Sequence, residues 1–142
     1  MSTEANKDVI RGWMAEVLNG HDIAAIDRYF APNCIHHDAE MGYSQGLDAE
    51  KQLTTTFVNA FPDLHFTLHT ILAEGDLVAG RATFSGTHTG DLMGFPPTGK
   101  RFETSIMTIF RMVDGKIAEN WSSTDVTSQL RRLGIIPEQA AA

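Results

Sequence analysis

Leu64-His65-Phe66-Thr67-Leu68-His69 alternates apolar with polar residues at every step, the two-residue period of a strand with one face on a core. Upstream the period is helical: Val9, Ile10, Trp13, Met14, Val17 and Leu18 share one stripe, and Gly20 ends it. Asp22 is placed to cap a short second helix carrying Ile23, Ile26, Tyr29 and Phe30, with Pro32 as its stop. Cys34-Ile35-His36-His37-Asp38 reads as a short strand. Leu53, Phe57, Ala60 and Phe61 mark one side of a third helix that follows Gly46 and ends at Pro62. Downstream, Glu74-Gly75-Asp76 turns the chain into a strand over 77–88, and a Gly- and Pro-rich connection over 86–100 leads to a third strand ending near Met112. Asp114-Gly115 then opens a fourth strand, 116 to about 123, and a last helix starts near Thr124 or Asp125 with Val126, Leu130 and Leu133 on its inner side. The tail 138–142 is expected to fray.

Helices followed by an antiparallel meander predict an α+β architecture, a curved antiparallel sheet wrapped around N-terminal helices with a cone-shaped internal cavity. With 142 residues and no repeat or linker, one domain over 1–142 is expected, its ordered core spanning about 7–136. A net charge of −7 disfavours nucleic acid and anionic membrane as partners. No apolar run approaches the roughly 20 residues of a membrane helix. The polar N-terminal eight residues lack the apolar stretch of a secretory signal, so a cytoplasmic location is the expectation. Cys34 is the single cysteine and reads as a small buried hydrophobe.

Several short motifs occur in order: Phe61-Pro62-Asp63-Leu64-His65-Phe66, Ala73-Glu74-Gly75-Asp76, Arg81, Gly86-Thr87-His88-Thr89-Gly90, Gly94-Phe95-Pro96-Pro97-Thr98-Gly99-Lys100, Ile109-Phe110-Arg111 and Asp114-Gly115-Lys116-Ile117, then Trp121, Asp125 and Leu133-Gly134. With them the chain resembles the SnoaL-like polyketide cyclase family of the nuclear transport factor 2-like superfamily, most densely over 61–134. Most of these residues read as structural, supplying turns, loop shape and helix stops.

The resemblance implies an enzyme that closes a ring by an intramolecular aldol step, without metal or cofactor. A substrate with acidic C–H bonds beside carbonyls needs one positioned acid–base group and hydrogen bonds for the enolate. The family's aspartate falls on Ser122, its neighbouring histidine on Asn120 and its second pocket histidine on Thr108. Ser, Asn and Thr can orient a carbonyl, but none is a general base near neutral pH unaided. From these positions, negligible activity on the aldol substrates of anthracycline-type cyclases is expected.

A three-residue Val113-Asp114-Gly115 loop would set Thr108 opposite Asn120 and Ile106 opposite Ser122, whereas a two-residue loop would bring Trp121 opposite Thr108. The first agrees with the resemblance and puts Ile106, Thr108, Asn120 and Ser122 on one face; with Trp13, Arg81 and Phe110 they make up the expected pocket. The proton-transfer group is then expected to be His37 or Asp125, with Arg81 or Asn120 holding a substrate oxygen. Asp125 also reads as a helix cap, and Arg81, among small residues, as a buried cation in need of a partner. A metal reading of His36, His37 and Asp38 is poor, because neighbouring strand residues point to opposite faces.

The leading reading is a cofactor-independent cyclase or isomerase acting on an apolar, carbonyl-rich, polyketide-like compound of secondary metabolism. A hydroxylase-like relative on the same scaffold and a non-catalytic binding or interaction module are the alternatives. A homodimer through the outer sheet face is expected, since helices cover only one face of the sheet.

Overall fold

The computed structural model describes residues 2–39 and 42–137. Helix α1 (Thr3–Trp13) begins where Ser2 Oγ accepts from the Ala5 N–H at 3.0 Å, and it continues into a π-helical turn, Met14–Asn19, closed by Gly20. A Cβ at position 20 would lie 2.4 Å from the Glu16 carbonyl oxygen, so only glycine lets the chain turn there. Asn19 then makes a two-way bond with the Phe66 backbone, its amide donating to Phe66 O at 3.0 Å and its oxygen accepting from Phe66 N at 2.7 Å.

A 3₁₀ turn, Ile23–Ala25, leads into the single-turn helix α2 (Ile26–Tyr29). Asp22 precedes the turn without the side-chain cap expected of it; its carboxylate lies 3.9 Å from Arg28 instead. Strand β1 (Phe30–Asp38) already begins before Pro32, so the proline sits in the irregular stretch between the paired residues Phe30 and Ile35 rather than ending the helix. A short strand that the sequence did not reveal, β2 (Gly42–Gln45), pairs antiparallel with β1, and helix α3 (Leu47–Ala60) follows.

The alternating region forms β3 (His65–Glu74), β4 (Leu77–Thr87), β5 (Arg101–Val113) and β6 (Lys116–Thr124), an antiparallel meander, and α4 (Val126–Arg132) closes the described chain. β1 adds to β6 in parallel, giving one six-stranded curved sheet in the order β2-β1-β6-β5-β4-β3. No helix among the described residues is long and apolar enough to cross a membrane. The expected fraying of 138–142 lies outside the described residues.

The β5–β6 hairpin corrects both registers considered from sequence. Asp114 and Gly115 have φ of 52° and 75°, and Val113 faces Lys116, a two-residue loop. An extra residue, Ala118, then slips the pairing between Arg111↔Glu119 and Met112↔Ile117. Thr108 therefore faces Ser122, Phe110 faces Asn120 and Ile106 faces Thr124. This register differs by two residues from the three-residue loop, so the same side chains still share a face. Trp121 lies on the other one, 39% exposed.

The core has two parts. Ile10, Val17, Ile26, Phe30, Val78, Phe110 and Ile117 pack under α1 and α2; Ala60, Phe61, Leu64, Phe84, Phe102 and Leu133 pack at the far end. Each large side chain so buried stabilises the fold by about 1.5–3 kcal/mol. Walls drawn from both parts surround a cavity.

Candidate active site

The cavity is lined by Trp13, Leu18, Leu53, Phe57, Phe66, Phe84 and Ile106 on its apolar sides, and by His36, Asp38, Glu50, Thr108, Asn120 and Ser122 along one seam. It holds about 110 Å³ and shares His36, Asp38 and Leu53 with an outer vestibule of about 260 Å³ that reaches Tyr43 and Met93.

Strand periodicity builds the seam. On β1, residues 34, 36 and 38 face inward; on β6, 120, 122 and 124 do, with His36 beside Asn120 and Asp38 beside Ser122. His36 Nε2 stands 2.7 Å from Ser122 Oγ, which is also 3.3 Å from Asp38 Oδ2. From α3, Glu50 approaches the other ring nitrogen: its Oε2 lies 3.4 Å from His36 Nδ1, which is buried and has no hydrogen-bond partner among the described residues. Glu50 sits in the stripe Glu50, Leu53, Thr54, Phe57 that α3 turns to the cavity, and it is only 5% exposed. A carboxylate three residues before the apolar stripe that begins at Leu53 is its sequence signal. Trp13 adds an indole N–H that is buried and without a partner among the described residues.

Of the expected pocket residues, Trp13, Ile106, Thr108, Asn120 and Ser122 meet in this cavity. Phe110 lies one layer deeper, edge-on to Trp13 with ring centroids 5.6 Å apart, and lines a small neighbouring void of about 30 Å³ with Ile106 and Thr108. Arg81 is not there. It follows the outward positions of β4 and stands exposed beside Met107 and Trp121, so it needs no buried partner. His37 points outward as well, stacked on Trp121 at 5.4 Å between centroids and bonded through Nε2 to Glu119 Oε2 at 2.7 Å. The Glu119 carboxyl, which also accepts from Arg111, is held below the usual carboxylate range chiefly by that His37 bond. Asp125 caps α4, accepting from Ser128 N and Ser128 Oγ at 3.1 and 2.8 Å; these bonds lower its pKa and hold it away from the cavity. The adjacent histidine, His36, is the one the fold delivers to the cavity. Cys34 is buried, and burial pushes its thiol up to about 11, the range of an inert thiol.

The motif residues shape the far corner. Asp63 accepts from Thr87 N and Thr87 Oγ1 at 2.6 and 2.7 Å. A Cβ at Gly86 would lie 2.7 Å from Phe61 Cβ, and one at Gly90 2.0 Å from the Asn59 carbonyl oxygen. His88, fully buried, accepts from Thr98 N through Nδ1 at 3.3 Å and packs on Phe61.

Comparison with known proteins fits this geometry. The family model of the SnoaL-like polyketide cyclases matches residues 8–133. The aklanonic acid methyl ester cyclase DnrD of Streptomyces peucetius is 30% identical over 107 residues, covering 75% of this chain and 72% of that protein. The nogalonic acid methyl ester cyclase of Streptomyces nogalater is 32% identical over 124 residues, 85% and 92% of the two chains. Among solved structures, AclR from Streptomyces galilaeus, a proposed hydroxylase, superposes with a TM-score of 0.86 at 32% identity over 98% of this chain and 87% of its own.

Proposed function

Since this chain belongs to the SnoaL-like polyketide cyclase family, we propose that it closes a ring in an apolar, carbonyl-rich polyketide ester without a cofactor, using His36 as the proton-transfer group. One observation carries the reading: His36 Nε2 lies 2.7 Å from the hydroxyl of Ser122, the position where the family resemblance places the acid–base residue. The expectation of negligible aldol activity rested on positions 108, 120 and 122 alone. His36 and Asp38, one strand over, supply titratable groups beside position 122.

The hydroxyl of Ser122 has two acceptors. When substrate enters and the hydroxyl turns to Asp38 Oδ2, its 2.7 Å contact with His36 opens, and the freed Nε2 lone pair can take a C–H proton next to a substrate carbonyl. The carbanion attacks the second carbonyl, and the proton returns from His36 to the new alkoxide. Trp13 Nε1, Thr108 and Asn120 are the donors available for the enolate oxygen. A drug-sized ligand needs a pocket of about 300–1,000 Å³, more than the inner cavity's 110 Å³. A polyketide would therefore span cavity and vestibule, across the waist where His36 and Asp38 stand.

The test is ring closure of aklanonic and nogalonic acid methyl esters, followed chromatographically without added metal. Wild type is expected to turn over at least one, and His36→Ala to lose about 10²–10⁴-fold. Wild-type protein that is folded and closes neither ring, or His36→Ala at full rate, overturns the reading. We further propose a cytoplasmic homodimer through the outer sheet face. Leu72, Met107, Ile109 and Trp121 stand exposed there beside Arg81, an apolar patch that a second copy would cover. Sedimentation at micromolar concentration should give twice the chain mass, and a monomer would refute it.

A further inference from the structure

We propose that Ser122, His36 and Glu50 also form a serine nucleophile with its base and orienting carboxylate, able to hydrolyse small apolar carboxylic esters. This goes beyond the cyclase reading and does not depend on it. Three elements contribute one member each: β6 the hydroxyl, β1 the imidazole and α3 the carboxylate. The order is that of a hydrolytic triad, with Ser122 Oγ on Nε2 at 2.7 Å and Glu50 Oε2 on the Nδ1 side at 3.4 Å. A cross-strand bond between Ser122 and His36 would alone need no third member. Glu50, buried behind the ring in a largely apolar wall, incurs a desolvation cost that a purely structural role leaves unexplained. His36 Nδ1, buried and unbonded among the described residues, has that carboxylate beside it, and such contacts commonly tighten when substrate binds.

The chemistry balances with water as the only co-reactant. Ser122 Oγ attacks the ester carbonyl and its proton passes to His36 Nε2. The tetrahedral oxyanion collapses, the C–O bond to the alcohol breaks, and His36 returns the proton to the leaving oxygen. Water, deprotonated by His36, then attacks the acyl-serine, and Ser122 leaves with the proton restored, giving acid and alcohol. Thr108, directly opposite Ser122, and Asn120 are donors available for the oxyanion, as is Trp13 Nε1. A chamber of about 110 Å³ with Leu53, Phe57, Phe66, Phe84 and Ile106 in its walls suits an acyl group of a few carbons. Glu50 acts through His36 and is a positioning residue.

The experiment uses p-nitrophenyl butyrate and a small alkyl fluorophosphonate on the full chain. The expected result is phosphonylation of the peptide containing Ser122 and measurable release of nitrophenol. Labelling is lost in Ser122→Ala and slowed about 10²-fold or more in His36→Ala, while Ser122→Cys traps the butyryl group as a thioester. Glu50→Gln is expected to lower kcat with KM retained, which a general loosening of the fold would not do. Folded wild type that stays unlabelled, label on another residue, or an unchanged labelling rate in His36→Ala would each overturn the proposal. None of these results bears on ring closure, which is read with a different substrate.

Discussion

Two parts of the molecule carry inward-facing histidines and use them in opposite ways. In the corner built from the end of α3, the end of β4 and the connection to β5, His88 is fully buried, accepts a backbone N–H and packs on Phe61. In the seam between α3, β1 and β6, His36 lines a cavity with a hydroxyl on one nitrogen and a carboxylate near the other. The corner holds most of the recognisable motif; the seam holds the titratable groups. The motifs that carry the family resemblance thus fall mostly where residues shape the fold, apart from the seam where the proposed chemistry lies.

The widest separation should come from truncating the two histidines. His36→Ala is expected to lower turnover about 10²–10⁴-fold with a small change in stability. His88→Ala removes a fully buried ring and should cost about 2–4 kcal/mol in urea unfolding while the folded fraction keeps its kcat. If His88→Ala also abolished turnover in folded protein, the corner would be part of the site and the contrast would fail.

Gly90→Ala probes the corner alone. The new methyl would meet the Asn59 carbonyl oxygen at 2.0 Å, backbone against backbone, so nothing flexible can yield. A loss of about 3 kcal/mol is expected, with kcat/KM of the folded protein unchanged. Asp63→Asn is milder. The Asp63 carboxyl is held below the usual carboxylate range, first by the Thr87 N–H. A depressed folded pKa means the unfolded chain binds the proton more readily, so the stabilisation is complete above about pH 5 and fades as pH falls through the folded value. After solvent screening it amounts to at most about 1 kcal/mol. Unfolding midpoints of wild type and Asp63→Asn should therefore differ at pH 7 and converge only as pH falls below the folded value.

The sequence made the meander legible because alternation in Leu64, Phe66 and Leu68 survives folding, and Gly75 and Gly115 take up positive φ at the hairpin turns. It also sorted Thr108, Asn120 and Ser122 onto one face, because face assignment depends only on parity. Register was not legible: a two-residue turn followed by an extra Ala118 reaches the same parity as a three-residue loop. Which histidine reaches the cavity was illegible for the same kind of reason. Adjacent His36 and His37 differ only in which face of β1 they take, and nothing local to His-His-Asp fixes that face; pairing with β6 does. Arg81 was expected inside because its neighbours are small, yet small residues such as Ala79 also occupy the open outer face of β4. Glu50 lies on the same side of α3 as Leu53 and Phe57, but only the packing of β1 against α3 brings its carboxylate to His36.

The finest test uses the neighbouring pair. His37 is one residue from His36, but its ring lies on the outer face against Trp121 and its bond is to Glu119. His37→Ala should therefore leave turnover within about twofold of wild type, the range of an ordinary surface substitution. Its effect should be confined to stability and to the pH dependence of stability. The His37 bond is the first cause of the low Glu119 pKa, ahead of Arg111. A lowered carboxyl pKa contributes stability above the unfolded value of about 4.3, and that contribution is lost as pH falls through the folded value. With His37 removed, Glu119 moves back toward the ordinary range, so wild type should exceed His37→Ala in unfolding midpoint at pH 7, with the gap closing as pH falls through the folded value of Glu119. Loss of ring closure in His37→Ala comparable to that in His36→Ala would mean that the outer face, and not the seam, holds the working histidine.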